Sequence, residues 1–233
     1  MATSGTAVTD LDLTEIVEEA FERCGSEVRT GYDLKTARRS LNLLMMEWAN
    51  HGLNMWTMEE ATIPLLADTI TYNLPVDTVD LMDMVVRTGS GATQSDLNIP
   101  RISQSTYASI PNKNANGRPT QVWIDRQSGV TDPTDGIRYP TINIWPVPSD
   151  TSYTFVYWRL RRIQDTTNGT NTTDVPFRFQ PALVAGLAYR LGQKIPEAAM
   201  KIDQLKADYN ETMQMAKDED REKASIRLVP RIY

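Results

Sequence analysis

Few residues in this chain have the types and spacing that acid–base, nucleophilic or metal chemistry requires. The single histidine, His51, stands in Ala49-Asn-His-Gly52 at the expected end of a helix. A cation or donor there complements the last carbonyls, so a capping role is favoured over catalysis. The single cysteine, Cys24, excludes an internal disulfide and any multi-cysteine zinc site, and its place on an apolar helix face marks a buried, inert thiol. Acids pair up as Glu59 with Glu60, Asp80 with Asp83 and Asp132 with Asp135. Glycosidase chemistry needs two such groups facing across a cleft. In a chain with 30 acids, close pairs arise by chance. Asp132-Pro-Thr-Asp-Gly136 lacks the alternating ligands and terminal Glu of a calcium loop, and Gly89-Ser-Gly91 has no following Lys or helix to make a phosphate cradle. No catalytic set, cofactor site or metal site is expected.

The one basic and aromatic stretch is Tyr153–Ile163 (YTFVYWRLRRI), which holds Trp158, Arg159, Arg161 and Arg162. Interleaved rings and guanidinium groups can stack on single-stranded nucleic acid. No second basic strand accompanies it, so a strand with buried aromatics and exposed arginines, or a polar subunit contact, is the favoured reading. The net charge of −6 also argues against tight binding to bulk nucleic acid, which needs clustered cations. A surface that DNA passes without sticking remains compatible with it. Trp123, Trp145 and Trp158 would be the aromatic candidates if the β-rich region bound a carbohydrate, the alternative from a different functional class.

The elements that must position these residues fall into three stretches. Asp12 with Glu15 opens a helix in which Leu13, Ile16, Val17, Ala20, Phe21 and Cys24 follow the helical period to Gly25. A second helix starts near Asp33 and runs through Leu34, Ala37, Leu41, Leu44, Met45 and Trp48 to Gly52, with Lys35, Arg38 and Arg39 outward. From Met55 the texture is β. Two short β-prone runs flank Ala67-Asp68 and read as a hairpin, followed by strands at Val79–Arg87, Thr120–Arg126, Thr141–Trp145 and Tyr153–Ile163. A helical turn set capped by Ser103 interrupts them, and no crossover-length helix separates them, which suggests an antiparallel sandwich or small barrel. Gln164–Asp174 is a polar loop. Helix returns at Pro181, with a stripe of Leu183, Val184, Leu187, Ala188 and Leu191. Pro196 opens a long helix to about Ala224, with Ala199, Ile202, Leu205, Tyr209, Met213 and Ala216 inward.

Each helix carries a single apolar stripe and needs partners. The expected fold class is therefore α+β, with residues 1–54 and 175–224 forming one antiparallel helical bundle and residues 55–174 a mostly antiparallel β insertion. Residues 225–233 form an extended tail. That tail (SIRLVPRIY) has no acid, and Ile226, Arg227, Leu228, Val229, Pro230, Arg231, Ile232 and Tyr233 give it an apolar, basic character suited to a docking surface. With 40% hydrophobic residues, no apolar run near the ~20 needed to span a bilayer and no signal-peptide layout, a soluble protein made in the cytoplasm is expected.

The junction between bundle and insertion, Leu41–Trp56 (LNLLMMEWANHGLNMW), carries a family resemblance. With Arg39-Ser40 before it and Ile63-Pro-Leu-Leu-Ala-Asp-Thr-Ile-Thr-Tyr-Asn-Leu-Pro-Val-Asp-Thr-Val-Asp80 after it, it resembles the N-terminal region of tailed-bacteriophage head-to-tail adaptor proteins. In these a Leu-rich helix ends in Glu-Trp, then Gly-Leu-x-Leu-Trp, and leads to a Tyr-x-Leu-Pro-x-Asp turn. The agreement covers Leu34–Arg87; beyond it only the order of elements matches. The resemblance implies a virion protein that forms a ring, dodecameric in the family, beneath the portal. The ring extends the DNA channel, which the genome crosses without specific binding, and gives the tail nozzle, tube or fibre proteins a platform. It also implies that the C-terminal segment embraces the portal. No cofactor, metal or membrane enters this picture. Within it, Trp48, Gly52, Leu53 and Trp56 mark the bundle–insertion junction, where the two tryptophans would fix the angle between the modules. A tail-tube or nozzle component is the nearest alternative.

Overall fold

The computed structural model describes residues 11–28, 31–51, 55–126, 136–166 and 172–220. In chain order the elements are α1 (Leu13–Cys24), α2 (Gly31–Asn50), β1 (Met58–Pro64), β2 (Thr71–Asn73), β3 (Thr78–Thr88), β4 (Ser95–Asn98) and β5 (Arg101–Ile102). There follow α3 (Gln104–Ser109), β6 (Asn116–Gly117), β7 (Gln121–Asp125), β8 (Thr141–Trp145), β9 (Val147–Pro148), β10 (Tyr153–Arg161), α4 (Gln180–Gly192) and α5 (Ile202–Glu219). The chain is mixed α+β and divides into two compact units. The β unit is Thr57–Arg162, and the helical unit takes the chain up to Trp56 and again from Ile163. The polar stretch after Ile163, expected with the β region, therefore belongs to the helices. Thr166 in it is buried, and its hydroxyl lies 3.3 Å from Asn42 Oδ1.

In the helical unit, α1 begins with a reciprocal cap. The Glu15 N–H donates to the Asp12 carboxylate at 2.8 Å, and the Asp12 N–H donates to the Glu15 carboxylate at 3.0 Å, so two otherwise orphaned donors are satisfied. The helix stops at Gly25, whose φ of 77° is the left-handed conformation that glycine adopts at least cost. Between those signals Leu13, Ile16, Val17, Ala20, Phe21 and Cys24 are all buried. Helix α2 starts at Gly31, two residues before the expected Asp33, and buries Ala37, Leu41, Leu44, Met45 and Trp48.

Helix α4 packs against α1, α2 and α5. Its sequence shows one stripe, yet Ala182, Ala185 and Gly186 on its other sides are buried as well. A helix apolar all round belongs inside a core. Small residues let its neighbours approach closely: a Cβ added at Gly186 would lie 2.8 Å from both Leu44 Cδ2 and Tyr209 Cε2.

The long C-terminal helix starts later than Pro196, and its expected end near Ala224 lies outside the described residues. Pro196–Lys201 is a 3-10 turn, and α5 proper spans 18 residues, ~27 Å at 1.5 Å per residue. The tighter repeat turns Ala198 inward in place of the expected Ala199. Leu205, Met213 and Ala216 are buried as their spacing requires.

The β unit contains two four-stranded sheets, ordered β1-β10-β3-β4 and β2-β8-β7-β5, and a small β6-β9 pair. The ladders are antiparallel except β5 with β7 and β6 with β9. Leu81, Met84, Val86, Phe155 and Tyr157 from the first sheet meet Tyr72, Val122, Ile124, Ile142 and Ile144 from the second in one apolar cluster. Period-two burial in β7 and β8 supplies that inner face. One local expectation fails. The Ala67-Asp68 turn exists, with Asp68 at φ 58°, but its flanking strands enter different sheets and form no hairpin. The Tyr72 hydroxyl holds the corner, accepting from the Leu66 N–H at 2.9 Å. Strand β4 has no counterpart in the sequence reading, because Ser95–Asn98 is exposed throughout and has no alternating signal.

Replacing Gly186 with Val should destabilise the helical unit by about 2 kcal/mol, since side chains of two neighbouring helices must give way. Denaturant unfolding followed by far-ultraviolet circular dichroism would show a lower midpoint.

Candidate functional site

The two junction tryptophans share one partner. Trp48 is fully buried, its indole N–H donates to the Tyr209 hydroxyl at 2.9 Å, and its ring tilts over Phe179 with centroids 5.8 Å apart. Trp56 meets Phe179 at 4.9 Å and donates its indole N–H to the Asp174 carbonyl at 3.0 Å. Each ring therefore has both an aromatic contact and a satisfied donor, the combination that makes tryptophan a strong anchor. These contacts all lie within the helical unit. They tie the end of α2 and the following turn to the start of α4. Gly52 and Leu53 lie outside the described residues. His51, at the helix end, is exposed, with its ring nitrogen 3.9 Å from the Glu47 carboxylate.

The arginines of the basic–aromatic strand are held in ion pairs. Phe155 and Tyr157 point into the β core, and the alternation continues to Arg159 and Arg161. Arg159 stands opposite Glu59 in the β1–β10 ladder. Its guanidinium donates to Glu59 at 2.8 Å, to Asp77 at 2.5 Å and to the Thr78 hydroxyl at 3.1 Å. Arg161 Nε donates to the second oxygen of Glu59 at 2.6 Å. Burial opposes the charge on Arg159, but Asp77 and then Glu59 outweigh it and hold the group above its ordinary pKa. A forked guanidinium can serve two carboxylates at once, which an ammonium cannot. This clamp closes the end of the β unit at which the chain enters and leaves.

One acid of each of the first two pairs is engaged in the same way. Glu59 lies between Arg159 and Arg161, and Asp80 accepts from Arg101 at 2.9 Å and Arg126 at 3.1 Å. Glu60 and Asp83 are exposed, and Asp132 and Asp135 lie outside the described residues. Two of the tryptophans considered for carbohydrate stacking have partners too. Trp123 stacks on Tyr107 at 5.1 Å, and the Trp145 indole donates to the Asn112 carbonyl at 3.0 Å. Cys24 is buried, its thiol 3.2 Å from the Ala188 carbonyl, and burial pushes its pKa up, away from a reactive thiolate. Among the described residues no group of three or more His, Cys, Asp or Glu could hold a metal ion, and no helix is long and apolar enough to cross a membrane. The expected docking tail, Ile226–Tyr233, lies outside the described residues.

Sequence reasoning placed Arg159 on an exposed face and missed Asp77. The alternation Phe155, Tyr157, Arg159 already put the arginine on the apolar side, where a cation needs an acid. Asp77 is joined to it only by the fold.

The chain is thus a two-unit α+β protein whose described Arg159 and Trp48–Trp56 clusters position the backbone. It belongs to the SU10 adaptor protein family of phage head-to-tail adaptors, whose sequence pattern matches residues 11–230. Proteins of this family are structural components of the virion, joining portal and tail proteins. No curated protein is similar enough to count as a relative.

Replacing Arg159 with Met should cost about 2 kcal/mol, less than for a fully buried pair because both carboxylates are partly exposed. Arg159→Lys should recover only part of that loss. Chemical denaturation of the full chain measures both.

Proposed function

We propose that this chain joins head to tail as a ring, twelve copies in number as the resemblance implies, seated beneath the portal. The observation that carries the reading is the family match, which runs from the start of α1 into the C-terminal segment. In this reading the helical unit, antiparallel and built from both ends of the chain, forms the ring, and the β unit, Thr57–Arg162, faces the tail nozzle, tube or fibre proteins. Ile226–Tyr233 reach the portal. The chemistry of that segment supports the assignment: five apolar residues and two arginines with no acid favour burial against another protein's apolar and acidic surface. Genomic DNA then passes the lumen without specific contacts. A net charge of −6 suits a conduit, since strong phosphate contacts would slow passage. Closure by rotation requires that each copy offer its neighbours two different faces.

Deleting Ser225–Tyr233 should abolish capture of the chain by its phage's portal protein in a pull-down while leaving the circular dichroism spectrum unchanged. Undiminished capture would remove the docking role of the tail.

A further inference from the structure

Two grooves on the helical unit have exposed apolar residues and opposite charge. The first, about 590 Å³, lies along α1 and the start of α4 and is lined by Leu11, Glu18, Glu22, Phe177, Pro181 and Val184 among others. Phe177 is 72% exposed there. Glu15 and Glu19 also line it, but Glu15 is spent on the cap and Glu19 is paired with Arg23 at 2.8 Å. Glu18 and Glu22 are exposed and make no ion pair among the described residues. The second groove, about 400 Å³, runs along the outer face of α2. Tyr32, Leu43 and Met46 in it are 72%, 50% and 61% exposed. Its exposed cations are Lys35 and Arg39, also without an ion pair among the described residues.

We propose that these grooves are the two halves of one contact between copies of this chain, the acidic groove of one receiving the basic face of α2 of the next. The inference deepens the ring reading and rests on it. Glu18 with Glu22, and Lys35 with Arg39, are each four residues apart. Each pair therefore spans about one helical turn, ~5–6 Å, and two carboxylates can meet two cations in register. Phe177 on one side and Tyr32, Leu43 and Met46 on the other supply the apolar centre that a charged rim needs. The basic face is crowded with like charge. Lys194 is held below the usual lysine value, by partial desolvation first and then by Arg39 and Arg190. An arriving carboxylate pair relieves that repulsion. The grooves share no residue. The contact is thus heterologous, the kind that closes a ring when each step rotates by a fixed angle.

The test is a charge swap in the full chain. One variant carries Glu18→Lys with Glu22→Lys, the other Lys35→Glu with Arg39→Glu; all four positions are exposed, and circular dichroism checks the fold. Self-association is followed by sedimentation velocity at rising concentration, and by electron microscopy on the phage's portal protein. Each variant alone should associate on the order of a hundredfold more weakly, because like charges now face each other. Mixing the two should restore assembly. Carbodiimide coupling of isotopically mixed wild-type chains should join Lys35 of one copy to Glu18 or Glu22 of another. Variants that assemble like wild type, or a mixture that stays apart, would overturn the pairing while leaving the ring intact. A species that stops at two copies would keep the pairing and sink the ring. No assembly at all, in solution or on the portal, would sink both.

Discussion

The rest of the helical unit depends on one requirement: α4 must be covered on every side. Helices α1, α2 and α5 each offer a single apolar stripe, and none of them alone could bury a helix that is apolar all round. Burying one Leu or Phe side chain contributes about 2 kcal/mol, so an α4 left partly uncovered would forfeit several such terms. This makes the unit inseparable from its two ends. The N-terminal third of the sequence cannot fold around a core that the C-terminal third supplies until both have been made. The aromatic group of Trp48, Trp56 and Phe179 fastens the same closure from the other end of α4.

The β unit answers a different demand. Its two sheets bury one face each against the other, and the edge of that core must still be sealed where the apolar alternation of β10 runs out. The chain places Arg159 there. A guanidinium with its stem against the core and its fork on two carboxylates closes the edge. The same economy disposes of the acids that might have suggested catalysis. Glu59 and Asp80 each face two arginines, so their charge serves geometry.

Much of this was legible in the residues. Helix α1 could be read from cap to stop because its period, its Asp12–Glu15 pair and its Gly25 all point the same way. The strands with clean alternation, β7 and β8, were equally plain. What escaped was non-local. Nothing in Ala182, Ala185 and Gly186 announces that a second and third helix will press on them. Ser95–Asn98 becomes a strand only by pairing with β3, aided by the Arg87–Asp96 ion pair at 2.9 Å. The Ala67-Asp68 turn was read correctly as a turn and wrongly as a hairpin, since a turn fixes a change of direction and not the sheet that each strand joins. Arg159 was legible by its register, and its partner Asp77 was not. The family resemblance at Leu34–Arg87 was carried by residues that stop helices and shape turns.

The pairing of β1 with β10 has a mechanical side. These are the strands by which the chain enters and leaves the β unit, and Met58 stands opposite Leu160 at the start of their seven-residue ladder. Drawing the two crossing strands apart would load that ladder from one end, bond by bond, in the manner of a zipper. Shear would have strained all the bonds together. The first resistance then comes from Glu59 gripped by Arg159 and Arg161. A charged clasp therefore sits where the tear would begin.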